Sequence, residues 1–133
     1  MAWLFLDTHE LSSFRFGWLG EKPVVQKTEA RARELLNELP PIEELKQSCK
    51  GIVVVAGPGS FSAIRTGVLY ANLLSRLLSL PLISVTVPEA EDLMELTRSL
   101  PGRTPASYVS PIYEKEPNIT KPRPSRFQKQ NGS

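Results

Sequence analysis

The stretch Ile52-Val53-Val54-Val55-Ala56-Gly57-Pro58-Gly59-Ser60-Phe61-Ser62-Ala63-Ile64-Arg65-Thr66-Gly67 joins an apolar strand to a long helix through a glycine-proline-glycine turn. Gly57 and Gly59 have backbone freedom that a side chain would forbid, and Pro58 fixes one torsion between them. Ser60 is positioned to cap the helix, whose first N–H groups form a ready anion site. The spacing fits neither a P-loop nor a dinucleotide-binding GxGxxG. The stretch therefore indicates an α/β domain in which the turn is either structural or ligand-binding.

The flanking sequence predicts a five-stranded mixed sheet with helices packed on it. Apolar or alternating runs predict strands at residues 2–6, 14–18, 23–27, 52–56 and 82–85. Thr28 is a candidate cap for a helix that runs through Leu39, where Pro40 and Pro41 interrupt it. Residues 42–47 add one or two helical turns, and a long helix is expected from about Ser60 to Ser79.

The residues of the turn are more specific than their spacing. Gly57-Pro58-Gly59-Ser60-Phe61-Ser62-Ala63-Ile64-Arg65-Thr66-Gly67 closely resembles the GPGSFTGLRxG signature of the TsaB (YeaZ) family. The opening Trp3-Leu4-Phe5-Leu6-Asp7-Thr8 is similar to that family's first strand, which ends in Asp-Thr. Leu80-Pro81-Leu82-Ile83-Ser84-Val85 is similar to its "IPLVGVSSL" strand. The resemblance covers about residues 2–90.

This resemblance implies a single lobe of the actin-like (ASKHA, ribonuclease H-like) fold, here residues 1–100. Three antiparallel strands followed by two parallel strands is the order such a lobe uses. It also implies a non-catalytic subunit in tRNA threonylcarbamoyladenosine modification, with a TsaD-like protein as partner, TsaE as third component and tRNA reached through the complex. The second lobe of typical TsaB proteins is expected to be absent or reduced to the tail. No cofactor or metal is expected.

The long helix carries two apolar stripes where a helix on a sheet needs one. Ile64, Val68, Ala71, Leu74 and Leu78 form the first stripe, and Leu69, Leu73 and Leu77, with Tyr70, form the second. The second stripe is either buried against the preceding helix or exposed as a protein interface. Because TsaB-like proteins pair through these two helices, the resemblance favours an interface and a homodimer in isolation. The predicted interface residues are Leu35, Leu36, Leu39, Leu69, Tyr70, Leu73 and Leu77.

An enzyme using the turn is the alternative. Asp7 lies where actin-like ATPases place a phosphate-contacting aspartate, so Asp7, Gly57, Gly59 and Ser60 are candidate nucleotide-binding residues. However, His9 and Glu10 follow where such a hairpin would favour glycine, and one lobe cannot enclose a nucleotide. We therefore expect Asp7 to cap the hairpin at the end of its strand. A peptidase-like triad of Ser60, His9 and Asp7 can be written, although nothing in the sequence places Ser60 beside the other two.

Composition predicts a small cytoplasmic protein. The 133 residues allow one core, and neither a secretory leader nor a membrane-spanning apolar run is recognisable. The lone Cys49 cannot form an internal disulfide, which is typical of a reducing compartment. The single histidine disfavours a zinc site.

The net charge of +2 is unevenly distributed. Residues 1–101 carry ten basic and twelve acidic side chains, whereas residues 102–133 carry six basic and two acidic. The second segment also holds five prolines, so residues 101–133 are predicted to form a basic, proline-rich tail that is partly disordered, above all beyond Arg126. Weak RNA contact by this tail is a second possibility. Residues 111–122 resemble the "P-x-Y-x-R-x-P-N-I-T" endings of some TsaB-like chains, and Tyr108, Val109, Ile112 and Tyr113 could pack on the body.

Overall fold

The computed structural model describes residues 1–113. In it, the apolar run at residues 52–56 lies in an inner strand of a five-stranded sheet. The strand order is β3-β2-β1-β4-β5. β1 pairs antiparallel with β2 and parallel with β4, β2 pairs antiparallel with β3, and β4 pairs parallel with β5. The predicted mixed sheet is confirmed. Its strands are β1 (Ala2–Asp7), β2 (Phe14–Leu19), β3 (Pro23–Thr28), β4 (Cys49–Gly57) and β5 (Leu82–Thr86).

Four α-helices accompany the sheet within residues 1–113. They are α1 (Leu35–Glu38), α2 (Ile42–Ser48), α3 (Phe61–Leu78) and α4 (Leu93–Ser99). The helix predicted from Thr28 is wrong at its start, because Thr28 still pairs with Phe14 in the sheet. A 3-10 turn, Ala32–Glu34, precedes α1 instead, so the first helix has barely more than one turn.

The helices cover both faces of the sheet. On one face, Ile64, Val68, Ala71, Leu74 and Leu78 of α3 are all buried, which confirms the first predicted stripe. On the other face, Leu96 of α4 packs with Leu100 and Ala90 against a separate cluster of buried strand residues. Helix α4 is not among the predicted elements, and this second layer is what buries the reverse side of the parallel strands.

Part of the segment assigned to the tail packs on the body. Residues 103–112, here called the strap, cross the β5 edge, where the Ala106 N–H donates to the Leu82 carbonyl at 2.8 Å. The Asn72 side chain on α3 then holds Val109 by two hydrogen bonds, accepting from its N–H and donating to its carbonyl, both at 2.9 Å. Val109 is buried, and the Ile112 N–H donates to the Ala56 carbonyl at the end of β4. The predictions for the tail beyond residue 113, including disorder after Arg126, fall outside the described residues.

Candidate functional site

The glycine-proline-glycine turn joins the end of β4 to α3 and lies against the β1–β2 hairpin. Gly57 has a φ of 127°, a conformation that residues with side chains rarely adopt. A Cβ on Gly59 would overlap the His9 carbonyl oxygen and would lie 2.8 Å from His9 Cβ. The Ser60 N–H donates to the same carbonyl at 2.9 Å. The turn is therefore shaped by close backbone packing on the hairpin.

Ser60 differs from prediction in two respects. It is the N-cap residue of α3, but its side chain makes no capping hydrogen bond, so the predicted side-chain cap is wrong. The structure also places the Ser60 backbone directly beside His9, a contact that no pattern in the sequence predicts. Ser60 and His9 meet because β1 and β4 are parallel neighbours, so the residues that follow the two strands lie at the same edge of the sheet.

A second glycine of the motif explains the Asp7-Thr8 pair. The Thr8 hydroxyl donates to the Ala63 carbonyl on α3 at 2.8 Å. A Cβ on Gly67, one turn further along α3, would overlap Thr8 Oγ1. Gly59 and Gly67 thus allow the first two turns of α3 to dock on the end of β1. The motif and the opening strand, which are far apart in sequence, form one packing unit.

Asp7 lies at the centre of a charged cluster in the hairpin. It is almost fully buried, and its Oδ1 accepts from the His9 N–H at 3.1 Å and lies 2.7 Å from His9 Nδ1. Its Oδ2 accepts from Arg15 Nε and Nη2 at 2.9 and 2.8 Å. Both carboxylate oxygens are therefore engaged, and Arg15 also donates to the Ala90 carbonyl at 3.1 Å. This arrangement fits a strand-end residue that holds the hairpin together.

The remaining charges of the hairpin also pair with one another. Glu10 accepts from the Ser13 hydroxyl at 2.8 Å and lies 3.5 Å from Lys27 Nζ. The Ser13 hydrogen bond, and then the Lys27 charge, hold the pKa of Glu10 below its ordinary value. The space enclosed by these side chains is only about 150 Å³, small for a nucleotide. His9 Nε2 lies 3.9 Å from Glu10, so the ring nitrogen that a triad would use faces a carboxylate.

Neither a metal cluster nor a membrane span is evident in residues 1–113. No group of three or more His, Cys, Asp or Glu side chains there is placed to hold a metal ion. Over the same residues, no helix combines the length and the apolar character needed to cross a bilayer.

The second stripe of α3 is exposed. Leu69, Leu73 and Leu77 expose 55%, 49% and 65% of their surface, and Leu36 of α1 exposes 45%. We call these four residues the apolar face. Because α1 has only four residues, it is too short to cover α3, and the alternative of intramolecular burial does not hold for these leucines.

A groove of about 410 Å³ runs beside the apolar face. Its walls include Leu39, Pro40, Ile42 and Tyr70, together with Leu73 and Leu77 of α3. Leu39 and Tyr70 are half-buried and pack against the core, so each offers only part of its surface. The assignment of Leu35 to the interface is wrong: Leu35 is fully buried, because the 3-10 turn before α1 directs it into the core.

A mixed sheet in the order 3-2-1-4-5, with helices on both faces, defines a single lobe of the actin-like class. The family model described as "TsaD: tRNA N6-adenosine threonylcarbamoyltransferase" matches residues 31–103, which is more than half of the chain. The chain belongs to this family. The match includes the quoted motif and confirms the TsaB-like relationship predicted from sequence.

Two solved structures share the fold. YeaZ from Pseudomonas aeruginosa superposes with a TM-score of 0.54 at 21% identity, over 65% of this chain and 45% of that one. An uncharacterised protein similar to peptidase YeaZ from Pseudomonas aeruginosa gives a TM-score of 0.53 at 21% identity, over 64% and 43%. The chain thus spans less than half the length of these structures. A search of curated protein sequences gave no match.

Proposed function

We propose that the chain is a non-catalytic subunit of tRNA threonylcarbamoyladenosine modification that binds and activates a TsaD-like protein through the apolar face. The observation that carries this proposal is the row of exposed leucines on α3 in a chain of this family. TsaE is the expected third component, and the tRNA is reached through the complex. The sequence resemblance to the TsaB (YeaZ) family implies a non-catalytic subunit. The shared fold and the family match support this proposed role.

The energetics favour a protein partner for this face. Burying the exposed half of each of the four leucines is worth about 1 kcal/mol per side chain. The neighbouring groove offers a concave apolar surface in which a partner helix can bury further side chains. Contiguous apolar surface of this kind is rare on a monomer unless it binds something. In the absence of its partner, the chain is therefore expected to form a homodimer through the same face.

Leu73 at the middle of the face is the residue to test. Leu73→Glu removes apolar burial and places a charge in the contact, which should weaken binding at least about 100-fold. Met94→Glu is the matched control, because Met94 is on α4 against the opposite sheet face and has a similar exposed fraction, 45%. Size-exclusion chromatography and calorimetry with the purified TsaD-like protein measure both variants.

The outcomes separate the interface from the core. We expect Met94→Glu to bind normally and Leu73→Glu to remain folded but fail to bind. Absence of any complex between the unchanged proteins at tens of micromolar would contradict the proposal. If Leu73→Glu unfolds while Met94→Glu does not, then Leu73 belongs to the core and the interface assignment fails.

The alternative is a nucleotide-binding or peptidase-like enzyme that uses the turn at residues 57–60. Its candidate groups are already engaged: both oxygens of Asp7 are paired, and the Ser60 N–H is bonded to His9. Calorimetry with millimolar ATP tests it directly. Binding that is lost in Asp7→Asn, with the fold retained by circular dichroism, would favour this alternative.

A further inference from the structure

The start of α3 carries a basic and aromatic surface that is separate from the centre of the apolar face. Two grooves meet there, of about 540 and 160 Å³, and both are lined by Ser62 and Thr66. The larger groove lies between α3 and the strap, and the smaller one lies beside the turn that precedes α1. We call the residues around them the entrance patch: Arg31, Arg33, Phe61, Arg65, Tyr108 and Tyr113.

Two tyrosines, Tyr108 and Tyr113, line the larger groove, and Phe61 lies against Tyr113. The rings of Phe61 and Tyr113 lie 4.6 Å apart between centroids and are inclined by 32°. The Arg65 guanidinium lies 5.2 Å from the centroid of Phe61. Tyr108 exposes 66% of its surface and Phe61 exposes 57%. Large aromatic surface therefore remains available to a planar ligand in this region.

The charge of the patch is positive and poorly compensated. Among residues 1–113, no acidic residue lines either groove, and α3 contains none. Among residues 1–113, Arg31 and Arg65 have no ion-pair partner, and Arg33 contacts only Glu34, at 3.7 Å. The N-terminal end of the 18-residue α3 adds the positive end of a helix dipole.

We propose that the entrance patch binds single-stranded nucleic acid, with bases stacking on the exposed rings and phosphates contacting Arg65 and Arg31. Exposed aromatic rings interleaved with arginines in a positive groove are the combination by which proteins hold single strands without reading their sequence. A protein partner would be less well served, since each groove has only one exposed leucine in its described lining, Leu69 and Leu11, and not a contiguous row. The binding is a property of the isolated chain, and it adds a direct nucleic-acid contact to the indirect one in the proposed function.

The test is fluorescence anisotropy of a labelled eight-nucleotide oligoadenylate RNA titrated with the full chain in 50 mM salt. The dissociation constant is expected below about 100 μM and should rise steeply with salt, as phosphate contacts require. Tyr108→Ala removes an exposed ring and should weaken binding about tenfold. Arg65→Gln should weaken binding to a similar extent and lower the salt slope by about 0.7.

Arg76→Gln is the matched control, because it removes the same charge from the last turn of the same helix, away from the grooves. It should change the dissociation constant less than twofold. Equal losses in Arg65→Gln and Arg76→Gln would overturn the proposal, since the binding would then report net charge alone. Unchanged binding in Tyr108→Ala would also overturn the proposal, because it would show that bases do not stack on this ring. So would inorganic polyphosphate that competes as well as unlabelled oligonucleotide, because polyphosphate has no bases.

The larger groove borders the apolar face at Leu69, so the two surfaces are separated experimentally at Leu73, which lines neither groove. Leu73→Glu lies outside the entrance patch and is expected to bind the oligonucleotide normally while failing to bind the TsaD-like protein. A protein that forms the complex but shows no anisotropy change would overturn the nucleic-acid proposal and leave the proposed function standing.

Discussion

Gly59→Ala is the sharpest test of why the motif needs a glycine at this position. The added Cβ would overlap the His9 carbonyl oxygen and would lie 2.8 Å from His9 Cβ and 3.0 Å from Ile64 Cδ1. Neither neighbour can yield easily, because His9 is held by Asp7 through its N–H and Nδ1, and Ile64 is fully buried. The turn must therefore move away from the hairpin.

The destabilisation can be estimated from what this movement breaks. Overpacking of this kind costs about 1–3 kcal/mol. Losing the hydrogen bond from Ser60 N–H to the His9 carbonyl, 2.9 Å long, adds about 1 kcal/mol. A total of about 2–4 kcal/mol should lower the melting temperature of a body this size by roughly 7–16 °C. Gly59→Val should cost more, because two further methyl groups enter the same space.

Thermal and urea unfolding followed by circular dichroism measure the effect. Gly102→Ala is the control, because no atom lies within 4 Å of the position its Cβ would take. It should change the free energy of unfolding by less than about 0.5 kcal/mol. If Gly59→Ala proves as stable as Gly102→Ala, then the steric account of the motif is refuted, and a ligand would be the better reason for the glycine.

Three further measurements follow from individual contacts. Ser60→Ala should change the free energy of unfolding measured in urea by less than about 0.5 kcal/mol, because the side chain makes no capping hydrogen bond. A loss above about 1 kcal/mol would show that the Ser60 side chain does cap the helix. Asn72→Ala should cost about 2 kcal/mol by removing both hydrogen bonds to Val109, and limited proteolysis should then cut the strap faster than in the unchanged protein. The Arg103 hydrogen bond to Glu89 lowers the pKa of that carboxyl, so its stabilisation is complete at pH 7 and is lost as the pH falls below the ordinary value of about 4.3. Glu89→Gln should therefore be less stable than the unchanged protein at pH 7 by under about 1 kcal/mol, and this difference should shrink as the pH falls through the lowered pKa of Glu89. A difference that does not change with pH would contradict the assignment.

The fold was predictable where periodicity was strong. Apolar strands at residues 2–6 and 52–56 and the first stripe of α3 were recognised because buried elements impose regular spacing. Helix α4 was missed although it carries a signal: Asp92 caps the helix by accepting from the Glu95 N–H at 3.1 Å. An acidic residue three positions before another is a helix-start pattern, but it is too common to stand out in a segment rich in charge.

The site was less predictable because it depends on pairing across the sheet. The sequence indicates that Gly59 and Gly67 matter, but not that His9 and Thr8 are the groups they accommodate. That relation follows only from the parallel pairing of β1 with β4, which brings both strand ends to one edge. The interface prediction for Leu35 is wrong because consecutive helical residues point about 100° apart. Leu35 therefore faces the core, whereas Leu36 next to it is exposed.

The central position of β1 sets the order in which the chain can become native during synthesis. Strands β1, β2 and β3 are consecutive, so they can pair while later residues are still being made. The other edge of β1 has no partner until Cys49–Gly57 has been translated, and the reverse face stays uncovered until Leu93–Ser99 follows. A nascent three-stranded sheet therefore emerges with β1, the middle strand of the finished sheet, as an open edge. This interval is the stage at which the chain is most exposed to pairing with a neighbour.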